Sequence, residues 1–303
     1  MTGTAKAFWQ IHFCVLLWGF TAILGKLISL PALALVCWRM LLVSGLLLLV
    51  PRVWRGLRAM PWHLLATYAG IGVVVALHWL TFYGAIKLAN ASVAVSCLAL
   101  GSVFAALLEP WIAGRRFEPS ELALGVLVVP GIVLLVGGVP INMHLGILVG
   151  VASAFLSALF GTLNKRHVEG AEALTVTAIE LGAGTLFLVA LSPLVPSFGP
   201  TFPLPSTHDA ALLIVLAVGC TLLPFTLSLV ALRRISAFST QLALNLEPVY
   251  AIVLAIFLLG EQRELSPRFY AGVAIILLAV FAHPLLHRSA LLRRHSEPRI
   301  TEL

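Results

Sequence analysis

Ten runs of mostly apolar residues, joined by short linkers, leave this chain few ways to fold. They are Phe8–Ile28, Pro31–Val50, Trp62–Ile86, Ala91–Ala113, Leu122–Val139, Leu145–Asn164, Ala171–Leu194, Asp209–Leu232, Ala237–Leu259 and Phe269–Leu286. About 20 such residues carry an α-helix across the hydrocarbon core of a bilayer. Inside that core every backbone polar group must be paired within the protein, so separate runs of this kind become helices. Charged residues make up 10% of the chain, far below the roughly one quarter that coats a soluble domain. The expected fold is therefore an all-α integral membrane protein with ten transmembrane helices. The net charge of +7 does not point to nucleic acid, because the basic residues lie singly or in pairs between apolar runs, as topology signals do.

Those signals orient the chain. With the N-terminus in the cytoplasm, 14 of the 19 Lys and Arg residues fall in cytoplasmic segments. Four (Lys26, Lys87, Arg263 and Arg268) fall outside, and Arg39 lies within a run. Both termini are then cytoplasmic, and the Pro-rich linker Pro193–Asp209, which holds no Lys or Arg, is external. The first run follows only Lys6 and lacks a small-x-small cleavage site, so it reads as a retained helix rather than a removed signal. Cys14, Cys37, Cys97 and Cys220 all sit inside apolar runs without short pairing, which makes them small core residues rather than a disulfide or metal set.

The chain also repeats itself. Residues 77–120 align without a gap on residues 223–266, an offset of 146, with 11 identities in 44 positions; so Leu- and Ala-rich a sequence gives about four by chance. Among the pairs are Ala91 with Ala237, Leu98 with Leu244, Gly114 with Gly260 and Ser120 with Ser266. Five runs per unit is an odd number, so the second unit enters the membrane from the opposite face. The expected domains are a first five-helix repeat, residues 1–142, and a second, inverted repeat, residues 143–303, ending in a basic cytoplasmic tail. Inverted repeats place a substrate near the midplane and alternate access around it.

Polar residues within the runs need a reason, since a charge at the bilayer centre costs several kcal/mol by insertion scales. Arg39 lies eight residues after Pro31, about 12 Å below the outer surface at helical rise. Glu180 sits at a comparable depth from the other side, in the run equivalent to that of Arg39. The two make a candidate substrate or gating pair; the structural alternative is packing or a snorkelling Arg. In the ninth run Gln241, Asn245 and Pro248 share one helical face, with Glu247 beside it. Pro248 has no backbone donor and frees the carbonyl of Leu244. Gln241 and Asn245 are candidate substrate contacts or interhelical hydrogen bonds. Glu247 is a candidate proton carrier, because burial penalises its charged form. In the third run, His78 with Phe82 and Trp79 with Tyr83 form adjacent stripes; the Trp79–Tyr83 pair suits a planar or cationic group, or an interfacial anchor. Trp18 lies too deep for an anchor, whereas Trp9, Trp54 and Trp62 fit an interface belt. Glu109 is a candidate gating or proton-coupling carboxylate, with an ion pair to Arg115 or Arg116 as the alternative. Gly146, Gly150, Ala154 and Ala158 recur every four residues in the sixth run and allow close helix contact. Pro110, Pro130 and Pro224 mark expected kinks. His208 and Asp209 read as a helix N-cap.

Several segments carry a resemblance. Leu17-Trp18-Gly19, the lone Arg39 after Pro31, Phe82-Tyr83-Gly84-Ala85-Ile86-Lys87, Ala91-Ser92-Val93-Ala94, Leu246-Glu247-Pro248-Val249 and Gly260-Glu261 resemble the EamA-like branch of the drug/metabolite transporter superfamily. The first half departs from it. Gly101-Ser102 stands where the second half has Glu247-Pro248, Glu109-Pro110 follows two turns later, and Gly114-Arg115 replaces Gly-Glu. The resemblance implies a secondary transporter of a small organic metabolite, an amino acid or related compound, working by alternating access in the bacterial inner membrane. Outward transport and any proton coupling follow from the resemblance alone. Arg39 would then hold a substrate carboxylate, Trp18, His78, Trp79 and Tyr83 would shape the pocket, Gln241 and Asn245 would hydrogen-bond, and Glu180, Glu247 or Glu109 would gate or carry a proton. An importer of choline-like quaternary amines is the alternative within transport, and a multi-pass membrane enzyme the alternative outside it. Neither a phosphate-cradling G-x-x-x-x-G-K-[ST] nor H-E-x-x-H is present. No cofactor, metal or nucleic acid is therefore expected; the partners are the metabolite and the lipid, with monomer and homodimer both open.

Overall fold

A computed structural model describes residues 3–195 and 199–278. The far end of the tenth run and the basic C-terminal tail lie outside the described residues. Among those described, all regular structure is helical, with no strand. The helices are α1 (Gly3–Leu27), α2 (Ala32–Leu48), α3 (Pro51–Ala59), α4 (Trp62–Leu88), α5 (Ala91–Leu98), α6 (Gly101–Ile112) and α7 (Pro119–Gly137), then α8 (His144–His167), α9 (Ala173–Leu191), α10 (Thr207–Ile214), α11 (Leu223–Leu232), α12 (Ala237–Leu244), α13 (Glu247–Leu259) and α14 (Pro267–Leu278). A π-helical stretch, Val215–Leu222, joins α10 to α11.

Seven of these helical segments are long and apolar enough to cross a membrane, or eight if the bent pair α2–α3 counts as one span. This falls short of ten separate spanning helices. The second run stops at Leu48 because Val50 precedes Pro51, whose ring disfavours helical backbone at the residue before it. The chain turns there by 89°, and the linker that follows is the short helix α3 carrying Arg52, Arg55 and Arg58. α7 and α14 are apolar helices outside the set of seven.

The core is built by α4 against α8 and α9, α2 against α9, and α1 against α11 and α13. Small residues set these distances. A methyl group on Gly146 would meet the Cβ of Ala89 at 2.7 Å, and one on Gly150 would meet the Cβ and Sγ of Cys97 at 3.0 Å. Ala154 and Ala158 are fully buried on the same stripe. At Gly72 the backbone of α4 lies directly on the backbone of Glu180 in α9. All four cysteines are buried and free.

The 146-residue offset reappears as geometry. Asn90 caps α5 by accepting from the Val93 N–H at 2.9 Å, and its counterpart Ser236 caps α12 by accepting from the Ser239 N–H at 2.9 Å. The fourth run breaks at Ala99–Leu100, between α5 and α6, and the ninth breaks at the equivalent Asn245–Leu246, between α12 and α13. Local chemistry explains each break. Gly101 opens α6 with the weakest helix former short of proline, and Pro248 cannot donate to the carbonyl of Leu244. Gly114 and Gly260 both end their spans in the left-handed region, at φ 70° and 69°, where an L side chain is strained. That conformation is why this pair of glycines is among the 11 identities.

The starts of α5 and α12 are each held by a carboxylate from the other half. Glu261 accepts from the N–H groups of Ala91 and Ser92 at 3.0 and 2.9 Å and from the Ser92 hydroxyl at 2.6 Å. Glu109 accepts from the N–H groups of Ala237 and Phe238 at 2.9 and 2.8 Å. A helix start offers unpaired donors and a partial positive charge, so a carboxylate is the fitting cap. Elsewhere, Ser206 caps α10 by accepting from the Asp209 N–H at 3.1 Å. Asp209 instead accepts from the backbone N–H and hydroxyl of Ser29 at 2.9 and 2.5 Å, which corrects the expected His208–Asp209 cap.

Candidate functional site

The site is organised around Arg39, which is 2% exposed. A buried guanidinium needs acceptors for its donors, and α4 and the π-helical stretch supply them. Nε donates to Thr221 Oγ1 at 2.6 Å, one terminal nitrogen donates to Tyr83 Oη at 2.7 Å, and the other donates to the backbone carbonyl of Cys220 at 3.3 Å. Sequence explains why that carbonyl is available. Cys220 lies four residues before Pro224, which lacks an N–H to occupy it. The surrounding turns relax into the π-helical stretch, where the Thr221 hydroxyl donates a hydrogen bond to Leu216 O at 2.6 Å; π turns within α-helices are frequent at functional sites. The guanidinium carbon also stands 3.8 Å from the centre of the Trp79 ring, a cation–π contact of about 2 kcal/mol when desolvated.

Arg39 faces a partly open cavity. Trp18, Thr21, Arg39, His78, Trp79, Phe82 and Leu98 line it from the first half of the sequence, and Ser157, Phe160, Phe225, Ser228, Gln241, Leu244 and Glu247 from the second. Its aromatic wall is continuous. Trp79 meets Phe225 edge-on at 6.0 Å, Phe225 stacks with Phe160 at 6.3 Å, and Phe160 packs on His78 at 5.3 Å. The His78 ring is fixed by Nδ1, which lies 2.9 Å from both the backbone carbonyl and the hydroxyl of Ser153. A carbonyl partner there requires the proton on Nδ1 and leaves Nε2 as an acceptor. Gln241 donates to Ser157 Oγ at 3.2 Å. Glu247 is buried at the first residue of α13, just past the break in the ninth run, and forms no ion pair with Arg39. The cavity thus holds one cation and one carboxyl, both buried and not neutralising one another directly, within apolar aromatic walls and a few hydroxyls and amides.

The sequence matches the EamA-like transporter family twice, over residues 6–137 and again over residues 144–282. The chain belongs to the EamA-like transporter family. It is thus a multi-pass membrane protein of a family that carries small molecules, with the two-repeat architecture of that family. One solved crystal structure is similar in fold, at a TM-score of 0.68 and 19% identity, over 97% of this chain and 99% of its own. No curated protein matches the sequence significantly.

In this EamA-like chain the residues singled out by sequence divide into three groups. Arg39, Trp18, His78, Trp79, Gln241 and Glu247 line the cavity, with Tyr83 behind them, fully buried and bonded to Arg39. Glu109 lies elsewhere, as the cap of α12, with Arg115 Nε 3.5 Å from its carboxylate. Glu180 and Asn245 form the third group. Glu180 is fully buried and takes one hydrogen bond, from Asn164 Nδ2 at 3.3 Å, and it does not pair with Arg39. Asn245 sits in the break of the ninth run with both amide atoms buried and unbonded. The face of that run towards the cavity is Gln241, Leu244 and Glu247 rather than Gln241, Asn245 and Pro248, because the break changes the helical phase. Sequence reasoning missed Thr221, Cys220, Ser157, Phe160, Phe225 and the cap Glu261. A signal existed for Cys220, since Pro224 follows four residues later. Phe160 and Phe225 carried none, being ordinary members of apolar runs.

Proposed function

We propose that this EamA-like protein is a secondary active transporter with ten spans in two inverted five-helix units, residues 1–142 and 143–303, and that it moves a small organic metabolite by alternating access around the Arg39 cavity. The cavity takes its lining from both units, as an inverted-repeat carrier requires. The reciprocal caps, Glu261 on α5 and Glu109 on α12, support the pseudo-symmetry. The bias of Lys and Arg places both termini in the cytoplasm, and the family resemblance suggests outward transport across a bacterial inner membrane.

The observation that carries the substrate class is the separated pair Arg39 and Glu247 in one aromatic-walled cavity. Three of the five guanidinium N–H groups are used by protein acceptors, leaving two for a carboxylate. Glu247 is free to take an ammonium group. A zwitterion, an amino acid or a close relative, neutralises both at once; Gln241 and His78 then meet its polar atoms, and Trp18 and the Phe160–Phe225 stack meet its side chain. Thermal-shift screening of purified protein against amino acids and choline-like cations, followed by counterflow of the best ligand in liposomes, tests this. Stabilisation and counterflow with a zwitterion support the reading; stabilisation by choline-like cations alone overturns it.

A choline-like substrate is the second reading, favoured by Glu247 standing among Trp18, Phe82, Phe160 and Phe225. Against it, Arg39 already covers the face of Trp79 and would repel a second cation.

A further inference from the structure

Glu180 and Asn164 lie outside the substrate cavity, and nothing in the cavity reading uses them together. Both are buried, Glu180 at 0% and Asn164 at 2% exposure. Their contact uses one atom of each, Asn164 Nδ2 donating to Glu180 Oε2 at 3.3 Å. The other atom of each group, Glu180 Oε1 and Asn164 Oδ1, is buried without a hydrogen-bond partner. Two planar groups that share one hydrogen bond and each keep an oxygen without a donor lack one proton between them. A carboxylate in that setting is also a charge without a counter-ion, costly in any low-dielectric interior and more so within a membrane span.

Among the described residues, no cation forms an ion pair with it. α3 packs on the start of α9, where Gly56 meets Thr175, and its Arg52 and Arg55 line a surface recess with Glu172 rather than reaching Glu180. On α4, Gly72 lies on the backbone of Glu180, and the ionisable neighbour is Tyr68, whose hydroxyl is spent on His167 O at 2.7 Å. From α8, Lys165 donates to Leu232 O at 2.6 Å, and His167 lies one helical turn past Asn164 at the end of the helix. Beyond α11, Arg233 donates to Ala171 O at 2.7 Å through a terminal nitrogen; its Nε is buried without a hydrogen-bond partner, but it forms no ion pair with Glu180. α2 presents the uncharged Met40 and Ser44 to the same stretch of α9. None of these groups forms an ion pair with Glu180.

We propose that Glu180 and Asn164 form a proton-binding site, in which a proton on Glu180 Oε1 is donated to Asn164 Oδ1 while Asn164 Nδ2 donates to Glu180 Oε2. The proton comes from water when α4, α8 and α9 part and returns to water by the same route, with no bond to carbon made or broken. Use of this proton for coupling rests on the transport reading above; its occupancy does not. Chemically the pair is a carboxylic acid–amide dimer, and the closeness of α4 and α9 at Gly72 is what excludes water from it.

Infrared difference spectroscopy on reconstituted full-length protein at neutral pH, in H₂O and D₂O, tests the site without any substrate. The expected result is a protonated-carboxyl C=O band, shifted by deuterium, that Glu180→Gln removes and Glu247→Gln leaves in place. Because glutamine reproduces the hydrogen bonds of the neutral acid, Glu180→Gln should melt within a few degrees of wild type, whereas Glu180→Ala melts well below it. Wild type without a band assignable to Glu180, or a Glu180→Gln variant that melts as low as the Ala variant, overturns the proposal. So does stabilisation of wild type by sodium ions that Glu180→Gln abolishes, since the pair would then hold a metal ion. Failure of every solute in counterflow would sink the transport reading and leave the infrared result standing.

Discussion

A single buried guanidinium joins three parts of this molecule. Arg39 on α2 binds Tyr83 on α4 and the π-helical stretch at Cys220 and Thr221, so its loss is felt both by the cavity and by packing. Arg39→Gln should abolish transport while the protein stays folded, with stability lower by about 1–3 kcal/mol for the stranded acceptors; liposome uptake and detergent melting read the two effects separately, and near-wild-type uptake would refute the assignment. The two carboxylate caps act differently. Glu261→Ala and Glu109→Ala each strip two backbone donors at a helix start and should each cost about 1–2 kcal/mol by thermal denaturation, with the Gln variants losing less. At this scale much was legible: Arg39, Trp18, Trp79, Gln241 and Glu247 stand out in apolar runs and all reach the cavity. Glu109 also stands out, but sequence could not show that its carboxylate meets backbone N–H groups 128 residues away, because capping across halves is decided by tertiary packing.

Breaks and close contacts set how the helices work. Pro224 keeps the Cys220 carbonyl free for Arg39. Pro224→Ala restores an N–H that competes for that carbonyl and straightens the π-helical stretch; the expected outcome is transport reduced several-fold with melting unchanged or raised, and unchanged rates would mean the π turn is incidental. Gly150→Val places branched carbons where even a Cβ meets Cys97 at 3.0 Å and should destabilise by about 1–3 kcal/mol, checked by melting in detergent. The small-residue stripe of α8 and the left-handed glycines at 114 and 260 were legible as a four-residue period and a repeat identity. The break at Asn245–Leu246 was half legible, since Pro248 announced a missing hydrogen bond but not the change of phase that turns Asn245 from the cavity. The end of α2 was legible to within two residues, but the sharp turn after it was not, since it follows from Val50 preceding Pro51 rather than from composition. The linker that follows is the helix α3, which carries three arginines and packs on the start of α9.

At the scale of the whole molecule, the 146-residue offset organises caps, breaks and helix ends alike, and the two halves differ where chemistry is concentrated. Arg39 and Glu180 occupy related runs, yet one faces the cavity and the other is closed off with Asn164. Glu247 lines the cavity, whereas Gly101 at the equivalent position packs against Gln241. A scaffold common to both halves thus supplies the fold, and the departures from it supply a site with one cation and one carboxyl. The central claim is that this cavity holds a small zwitterionic metabolite and exposes it alternately to the two membrane faces. Counterflow in liposomes, using the solute that best stabilises the purified protein, tests it most directly. The account predicts exchange of a labelled amino acid-like zwitterion by wild type and none by Arg39→Gln. Exchange that survives Arg39→Gln, or chemical turnover of the solute without movement across the bilayer, would contradict it.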